Sequence, residues 1–590
     1  MLRTSTRRLR VWLPLGLASA MAIQAGARDR TFYPDDPVST VVDSQDAAGV
    51  QARDIDVVYD TFENSFAWRG DRTADVRAQN VNTIDEVPDS SWFTNRLGMR
   101  PVTADALVRG PGTGHGPAAG ALTVIGAKAD GVMPGVTVRD SAGQVWFVKF
   151  DPPGYPAMAT GTEVVVARLF WALGYYVADT HLATLHPDEL LIDADARITP
   201  PGGRRRPFTK GDLRRLFRRA HRHPDGSFRV VASRALEGRP VGPFRFYGTR
   251  SDDPNDIVPH EHRRELRAYG TFAAWVNHVD SKSGNTLDTV VAQDGRHVVR
   301  HHLLDFGSTL GSAGVYPREP YEGSEYLVEG KAALAGIPSF GLYIKGWRTV
   351  PRYRARSVGA FPIDNAQWDP ERWKPRYPNS AFRSARLDDK FWAARRLQGF
   401  TDELIEAAIR VGRFDDPASE GRLAAFLVER RNAIVRRYLP AVNPIVDLEL
   451  RADGTLAFAN AAVDAGVASA PREYVVAWKQ FDNASATATE LGVTTASTPR
   501  VAAPRPLPAT PGSYLCADIS AAGGPAAWAA PAHAWFRRES GGWRLVGFQR
   551  TPGGNPPARQ TERGEPRPRR HVTDRGAISS RIASLPGPAS

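Results

Sequence analysis

His278-Val279-Asp280-Ser281-Lys282-Ser283-Gly284-Asn285 is followed, twenty residues after its last member, by Asp305-Phe306-Gly307. The first stretch fixes a histidine, a carboxylate, an amine and an amide at the spacing His-x-Asp-x-Lys-x-x-Asn; the second adds a carboxylate ahead of a phenylalanine and a glycine. Four fixed residues at about 5% usage each, over some six hundred positions, arise by chance in about 0.4% of sequences, and an Asp-Phe-Gly within the next thirty residues lowers this by a further factor of some hundreds. Coincidence is a poor explanation for the pair.

Upstream, the pattern changes to strands at Ala121. Leu122-Thr123-Val124-Ile125, Val136-Thr137-Val138 and Val145-Trp146-Phe147-Val148-Lys149-Phe150 read as a three-strand meander punctuated by glycine-bearing turns. A helix should follow over residues 161 to 173, closed by Gly174, and Glu163 lies in it. Lys149 ends the third strand beside Phe147 and Phe150, a costly place for a cation without a purpose. Residues 259 to 276 read as helical, two short strands flank Asp294-Gly295, and amphipathic helices dominate from Asp388 to Leu439. After Asn443 the alternation returns, in residues 446 to 458, 474 to 481 and 532 to 548.

With the parts in this order the sequence resembles the protein-kinase-like superfamily, whose catalytic loop reads H-x-D-x-K-x-x-N and whose metal loop reads D-F-G. The resemblance spans residues ~121 to 440, and its motifs are specific to the superfamily rather than to a branch. Small-molecule kinases of the aminoglycoside type, toxin-type bacterial kinases and secretory-pathway kinases all share an Asp, an Asn and a D-F-G-like Asp. It implies Asp280 as the base that accepts the proton of an attacking hydroxyl, and Lys282 as positive charge where the transferred group gathers negative charge. Asn285 and Asp305 would hold Mg²⁺ on the phosphates of ATP, with His278, Phe306 and Gly307 supporting. Lys149 would meet the α and β phosphates, steadied by an ion pair to Glu163. The phosphate-covering turn departs from G-x-G-x-x-G-x-V: Gly126, Gly131 and Gly135 are its candidates for bringing N–H groups to phosphate. The hairpin between Asn285 and Asp305 is longer than in most eukaryotic kinases, and no Ala-Pro-Glu follows the metal loop. Residues 146 to 153 and 361 to 377 resemble a group of uncharacterised exported bacterial proteins, which narrows the family without naming an acceptor.

The implied fold class is α+β: a bilobal kinase-like domain with a β-rich N-lobe (residues 121–235) and a helical C-lobe (236–443), then a small all-β module (444–550). Residues 28–120 read as an extension and linker, with Tyr59, Phe62, Phe66, Trp68, Trp92 and Phe93 expected to anchor it on the following domain. Residues 551–590, rich in Pro, Gly and Arg, read as a disordered basic tail. A chain of 590 residues with 42% hydrophobic and 24% charged residues has room for such an arrangement and is not globally disordered.

The net charge of +12 suggests nucleic acid until it is placed along the chain. Four arginines before residue 28 and an excess of four after residue 550 leave only +4 between, which argues against a nucleic-acid groove. Arg204 to Arg222 is a dense basic run that reads as a solvated surface insertion. Residues 1–27 read as a secretory signal, with an Arg-rich start, an apolar run from Val11 to Ile23 and an Ala25-Gly26-Ala27 cleavage site. The expectation is an exported protein, periplasmic or extracellular, with no stable membrane span after signal cleavage. Cys516 is the only cysteine, so no internal disulfide is available.

No G-x-S-x-G, G-x-x-x-x-G-K-[ST] or H-E-x-x-H is present, so hydrolase, P-loop and zincin chemistry have no anchor. His260, His262, His301 and His302 lack ligand spacing and read as structural. The functional expectation is an exported ATP- and Mg²⁺-dependent phosphotransferase acting on a hydroxyl of a protein, glycan or small molecule. The alternative is a nucleotide-binding pseudokinase serving as an envelope scaffold or sensor.

Overall fold

The computed structural model describes residues 30–38, 43–73, 75–112, 114–127, 133–200, 203–328 and 346–550. The expected signal segment 1–27, Gly131 and the expected tail 551–590 lie outside the described residues. The chain is a mixed α+β structure with several sheets.

Strands β1 (Leu122–Ala127), β2 (Gly135–Arg139) and β3 (Val145–Phe150) form where the valine-rich alternation placed them. Asp140 closes the β2–β3 turn, its Oδ1 accepting the N–H groups of Ala142 and Gln144 at 3.0 and 2.8 Å, while Oδ2 accepts from Trp146 Nε1 at 2.9 Å. Four further strands join them, after the two-residue β4 (Tyr176–Val177): β5 (Thr180–Leu185), β6 (Leu190–Ile198), β7 (Arg206–Pro207) and β8 (Phe228–Arg234). The resulting seven-stranded sheet has the order β5-β8-β3-β2-β1-β6-β7, which makes β3 an interior strand, paired to both β2 and β8.

A buried helix, Met158–Leu173, crosses beneath this sheet. It begins three residues before the expected start because the buried Asp151 carboxylate accepts the N–H groups of Ala157, Ala159 and Thr160 at 2.9–3.0 Å. It ends at Gly174, whose φ of 117° and close approach to Phe93 leave no room for a side chain.

The second sheet has the order β4-β11-β10-β9, adding β9 (Arg239–Gly242), β10 (Thr286–Gln293) and β11 (Arg296–Leu303). The β10–β11 hairpin is longer than expected: eight residue pairs run from Thr286↔Leu303 to Gln293↔Arg296. Asp294 and Gly295, both at positive φ, form the two-residue turn whose twist suits such a hairpin. Helix Arg264–Val276 leads into this region and stops at Asn277, in the left-handed conformation at φ 55°.

Helices Leu387–Gln398 and Pro417–Tyr438 pack on Arg264–Val276, helix Asp402–Val411 packs on Pro417–Tyr438 and on Met158–Leu173, and all share one hydrophobic core with the C-terminal strands. Those strands make a three-stranded sheet of β14 (Ile445–Leu450), β15 (Thr455–Asn460) and β18 (Arg500–Ala502), after the small hairpin β12 (Arg352–Ala355) and β13 (Gly359–Pro362). A five-stranded sheet follows the order β17-β16-β19-β20-β21, from β16 (Glu473–Asp482), β17 (Thr487–Ala496), β19 (Tyr514–Ala522), β20 (Ala532–Glu539) and β21 (Gly542–Gln549). Trp275 and Leu427 of the helices belong to the same core as Trp478, Trp528 and Phe548.

The N-terminal stretch is a strap over the body. Phe32 is buried among Phe481, Tyr514 and Trp535 of the five-stranded sheet. Ala47 and Val50 pack on Val241, Val290 and Val299 of the second sheet. Trp92 stacks on His301 with ring centroids 3.4 Å apart, and Phe93 is fully buried. The other expected anchors do not bury: Tyr59, Phe62, Phe66 and Trp68 are 57–63% exposed. Residues 57–67 form an α-turn and a π-turn that dock through the polar Asp60 instead, leaving the rings outward.

Candidate active site

Three parts of the fold converge on Lys149. β3 presents its amine below the sheet, helix Met158–Leu173 carries Glu163 beneath it, and the turn after β11 brings in Asp305. Lys149 Nζ lies 2.8 Å from Glu163 Oε2 and 2.9 Å from Asp305 Oδ1. Burial works against its charge, but the Asp305 and Glu163 carboxylates outweigh it and hold the amine above the ordinary lysine range. The same Glu163 oxygen accepts the N–H of Gly307 at 2.9 Å. A Cβ on Gly307 would come within 2.9 Å of that oxygen, which is why glycine follows Phe306 here. Asp305 adopts φ 63° and Phe306 turns inward, stacked on Phe170 at 5.0 Å and near His278 at 5.5 Å.

The loop from His278 to Asn285 is equally constrained. His278 is fully buried, with Tyr269 Oη 2.9 Å from its Nδ1, and burial pushes its pKa down to about 4. A neutral ring can accept the Tyr269 hydroxyl there. Asp280 carries Lys282 on its carboxylate at 2.9 Å and accepts Asn285 Nδ2 on both its main-chain oxygen (2.7 Å) and its side chain (3.1 Å). Leu304 N–H donates to Asn285 O at 2.9 Å, tying the loop to the strand that delivers Asp305. Sequence reading thus identified eight residues that the fold gathers into two linked clusters, Lys149, Glu163, Asp305 and Gly307 in one and His278, Asp280, Lys282 and Asn285 in the other.

The glycine candidates fare differently. Gly135 opens β2 and is the direct register partner of Lys149. Gly126 sits at a bulge in β1, facing only a distant carbonyl of Arg197, so nothing in its surroundings requires glycine. Gly131 is outside the described residues.

Several participants escaped sequence reading. The Asp60 carboxylate accepts Ser283 Oγ at 2.8 Å and Tyr247 Oη at 3.2 Å, so the N-terminal strap holds the loop from His278 to Asn285 directly. Val57 lies against Gly284 at a distance where a side chain there would crowd it. Arg376 N–H donates to Val279 O at 2.7 Å, and Lys282 lies over the Tyr377 ring at 5.8 Å. Arg318, fully buried, gathers the carbonyls of Ser308, Leu310 and Ser312 and fixes the chain that leaves Gly307. The contacts to the loop lie 95 to 227 positions apart, and those of Arg318 are local but use common residue types, so no local pattern marks them. The one available signal was the acidic pattern of residues 54–63 beside an otherwise aromatic stretch.

The histidines are structural as expected: His260 bonds Asp256, His262 bonds Asp71 and His301 bonds Asp288. No group of three or more His, Cys, Asp or Glu side chains with metal-holding geometry occurs among the described residues. A nucleotide-borne cation would instead take the Asp305 carboxylate and the Asn285 amide oxygen, hard oxygen donors of the kind Mg²⁺ takes when phosphates and water complete its shell. The residues present fit such an ion.

No protein-family model matches the chain, and no curated protein matches it. Among solved structures it is similar to the crystal structure of the Helicobacter pylori proinflammatory kinase CtkA, at 14% identity, with 53% of this chain and 94% of that chain covered and a TM-score of 0.26. So low a score bears on neither fold nor activity. No helix among the described residues is long and apolar enough to cross a membrane.

Proposed function

We propose that this chain is an exported phosphotransferase of protein-kinase-like type, acting outside the cytoplasm, that moves the γ-phosphoryl group of ATP to a hydroxyl acceptor. In this reading the seven-stranded sheet with its helix is the first lobe, the central helices are the second, and the C-terminal strands are an appended module. The observation that carries it is the bridge from Lys149 to both Glu163 and Asp305, with Asp280 and Asn285 hydrogen-bonded to each other on the adjoining loop.

The roles follow from the chemistry of each group. Lys149 meets the triphosphate as a buried cation kept charged by its two carboxylates. Asp305 and Asn285 would hold Mg²⁺, which when bound neutralises charge on the phosphates. Asp280 accepts the proton from the acceptor hydroxyl as its oxygen bonds to the γ-phosphorus and the bond to the β-phosphate oxygen breaks, releasing ADP. Lys282, held on Asp280 at 2.9 Å, supplies positive charge beside the transferred group.

Mature protein titrated with ATP, with and without Mg²⁺, tests the first half. Ligand that binds only the folded state raises the melting temperature by mass action, by about 2.7 kcal/mol of stability at a hundredfold excess over Kd. A Mg²⁺-dependent shift followed by release of ADP with an added acceptor is the expected result. No shift with ATP or GTP overturns the proposal, and binding without any transfer leaves a nucleotide sensor in its place.

A further inference from the structure

An open cleft of about 880 Å³ lies where three parts of the chain meet: residues 68–73 and 75–76 of the strap, residues 380–390, and the C-terminal residues 441–443, 527–530 and 550. None of Lys149, Asp280 or Asp305 lines it. Seven of its side chains are arginine or lysine and three are aspartate.

Four of the seven cations are committed. Arg69 pairs with Glu63, Arg267 with Asp389, Arg386 with Asp388 and Asp75, and Lys390 with Glu371. Arg72, Arg383 and Arg550 have no carboxylate within ion-pairing distance among the described residues. Arg383 stacks over Trp68 at 4.5 Å, reaches Ser380 Oγ at 3.3 Å, and keeps a buried Nη1 with no hydrogen-bond partner. Arg72 donates from Nε to Trp68 O at 3.1 Å and from its guanidinium to Ala67 O, so two like charges converge on one tryptophan. Arg550, buried across the cleft, donates to Ile445 O at 3.0 Å, lies against the Phe391 and Phe548 rings, and feels the Asp85 and Glu86 carboxylates only from beyond ion-pairing distance. The cleft's own acids pair with neither Arg72 nor Arg383: Asp71 is held by Thr73 N–H and His262, Asp75 by Arg386, and Asp388 by Arg264 and Arg386.

A buried donor without an acceptor, here Arg383 Nη1, and a second guanidinium converging on the same tryptophan are costly unless something negative completes them. Guanidinium forks match carboxylate and phosphate oxygens two at a time. We infer that this cleft is a second ligand site, for a small anionic molecule bearing phosphate or carboxylate groups, with Arg72 and Arg383 as its ligands and Trp68 as its floor. Arg550 lends positive potential from the far wall. The site is independent of the nucleotide residues and stands whether or not the chain transfers phosphate.

The test is calorimetric titration of the full mature chain with inorganic pyrophosphate and, separately, with citrate at low salt. Saturable binding of either anion, weakened by added salt, is expected, and the better of the two names the chemistry. Arg72→Ala, at an exposed position that leaves the core intact, and Arg383→Ala should each lower the affinity about tenfold. Arg383→Lys should recover part of the loss, and Arg214→Ala, at a position that does not line the cleft, should leave the affinity unchanged. Absence of saturable heat with both anions overturns the inference. So does binding that survives both alanine variants, because the anion then sits elsewhere, as on the basic surface of residues 204–222.

Discussion

Lys149 and Asp305 are 156 residues apart in the chain and 2.9 Å apart in space. The triad they form with Glu163 is uneven. The Glu163 side chain is 4% exposed and that of Asp305 is 35% exposed, so the lysine is anchored on its inner side and open to a ligand on its outer side. An inner anchor with an outer, replaceable partner is what a phosphate-contacting cation needs.

Lys149→Met should therefore be a stability variant as well as a binding one. It strands the buried Glu163 carboxylate with only the Gly307 N–H, and removing one member of a buried pair costs about 3–5 kcal/mol. Urea denaturation reads the loss, and the double variant Lys149→Met/Glu163→Gln should lose less than the sum of the two singles.

Asp305→Asn, by contrast, removes the half-exposed partner and leaves the inner pair intact, with a stability cost of about 1 kcal/mol or less. Its melting temperature without ligand should stay near that of the wild type while the Mg²⁺-dependent shift with ATP disappears. A retained shift would show that Asp305 holds no metal.

Asp280→Asn separates binding from chemistry. The amide can still face Lys282 and Asn285, so the nucleotide-induced shift should persist, while transfer to an acceptor falls by about 10²–10⁴-fold for loss of a general base. Equal loss of both in single-turnover assays would mean that the loop itself had collapsed.

His278 makes stability depend on pH. Its folded pKa of about 4 lies below the roughly 6.5 of an unfolded imidazole, so the unfolded chain takes up the proton first as pH falls. The contribution is complete above the unfolded value and is lost on acidification toward 4, at up to about 1.4 kcal/mol per pH unit. Buried His302, also lowered to about 4, adds a slope of the same sign. Urea midpoints measured from neutral pH to about 4.5 should fall less steeply for His278→Gln than for the wild type. Coincident slopes would rule out the buried neutral ring.

The Asp60–Ser283 contact makes the strap a positioning element. Asp60→Asn weakens its grip on the loop without touching Lys149 or Asp305, so the turnover number should drop while the apparent nucleotide affinity holds. Limited proteolysis should also cut faster near residues 57–68. Unchanged turnover and unchanged cleavage would reduce the contact to packing.

Much of this was legible because it is local. The meander ending in Lys149, the helix bearing Glu163 and the loop from His278 to Asn285 are written in short-range alternation, glycine punctuation and fixed spacing, and the structure places each within a few residues of its reading. β5, β6, β8, β17 and β19 were not anticipated as strands. The partners of β5, β6 and β8 lie far along the chain, and pairing rather than composition makes them strands, while β17 pairs locally with β16 but is mostly exposed and polar, so it lacks the apolar alternation. The aromatics of residues 59–68 misled for the opposite reason: ring content suggests burial, yet a carboxylate, Asp60, is what this segment buries.

The seat of Phe32 carries a consequence for synthesis. Its walls are Phe481, Tyr514 and Trp535, which leave the ribosome some 450 to 500 residues after Phe32 itself. During translation, or during threading through any translocon with the amino end leading, the earliest part of the strap has nowhere to go until the last sheet exists. Assembly then closes from the end of the chain back to its beginning, so a product truncated before Tyr514 keeps an unmated leading segment that a quality-control protease can grasp.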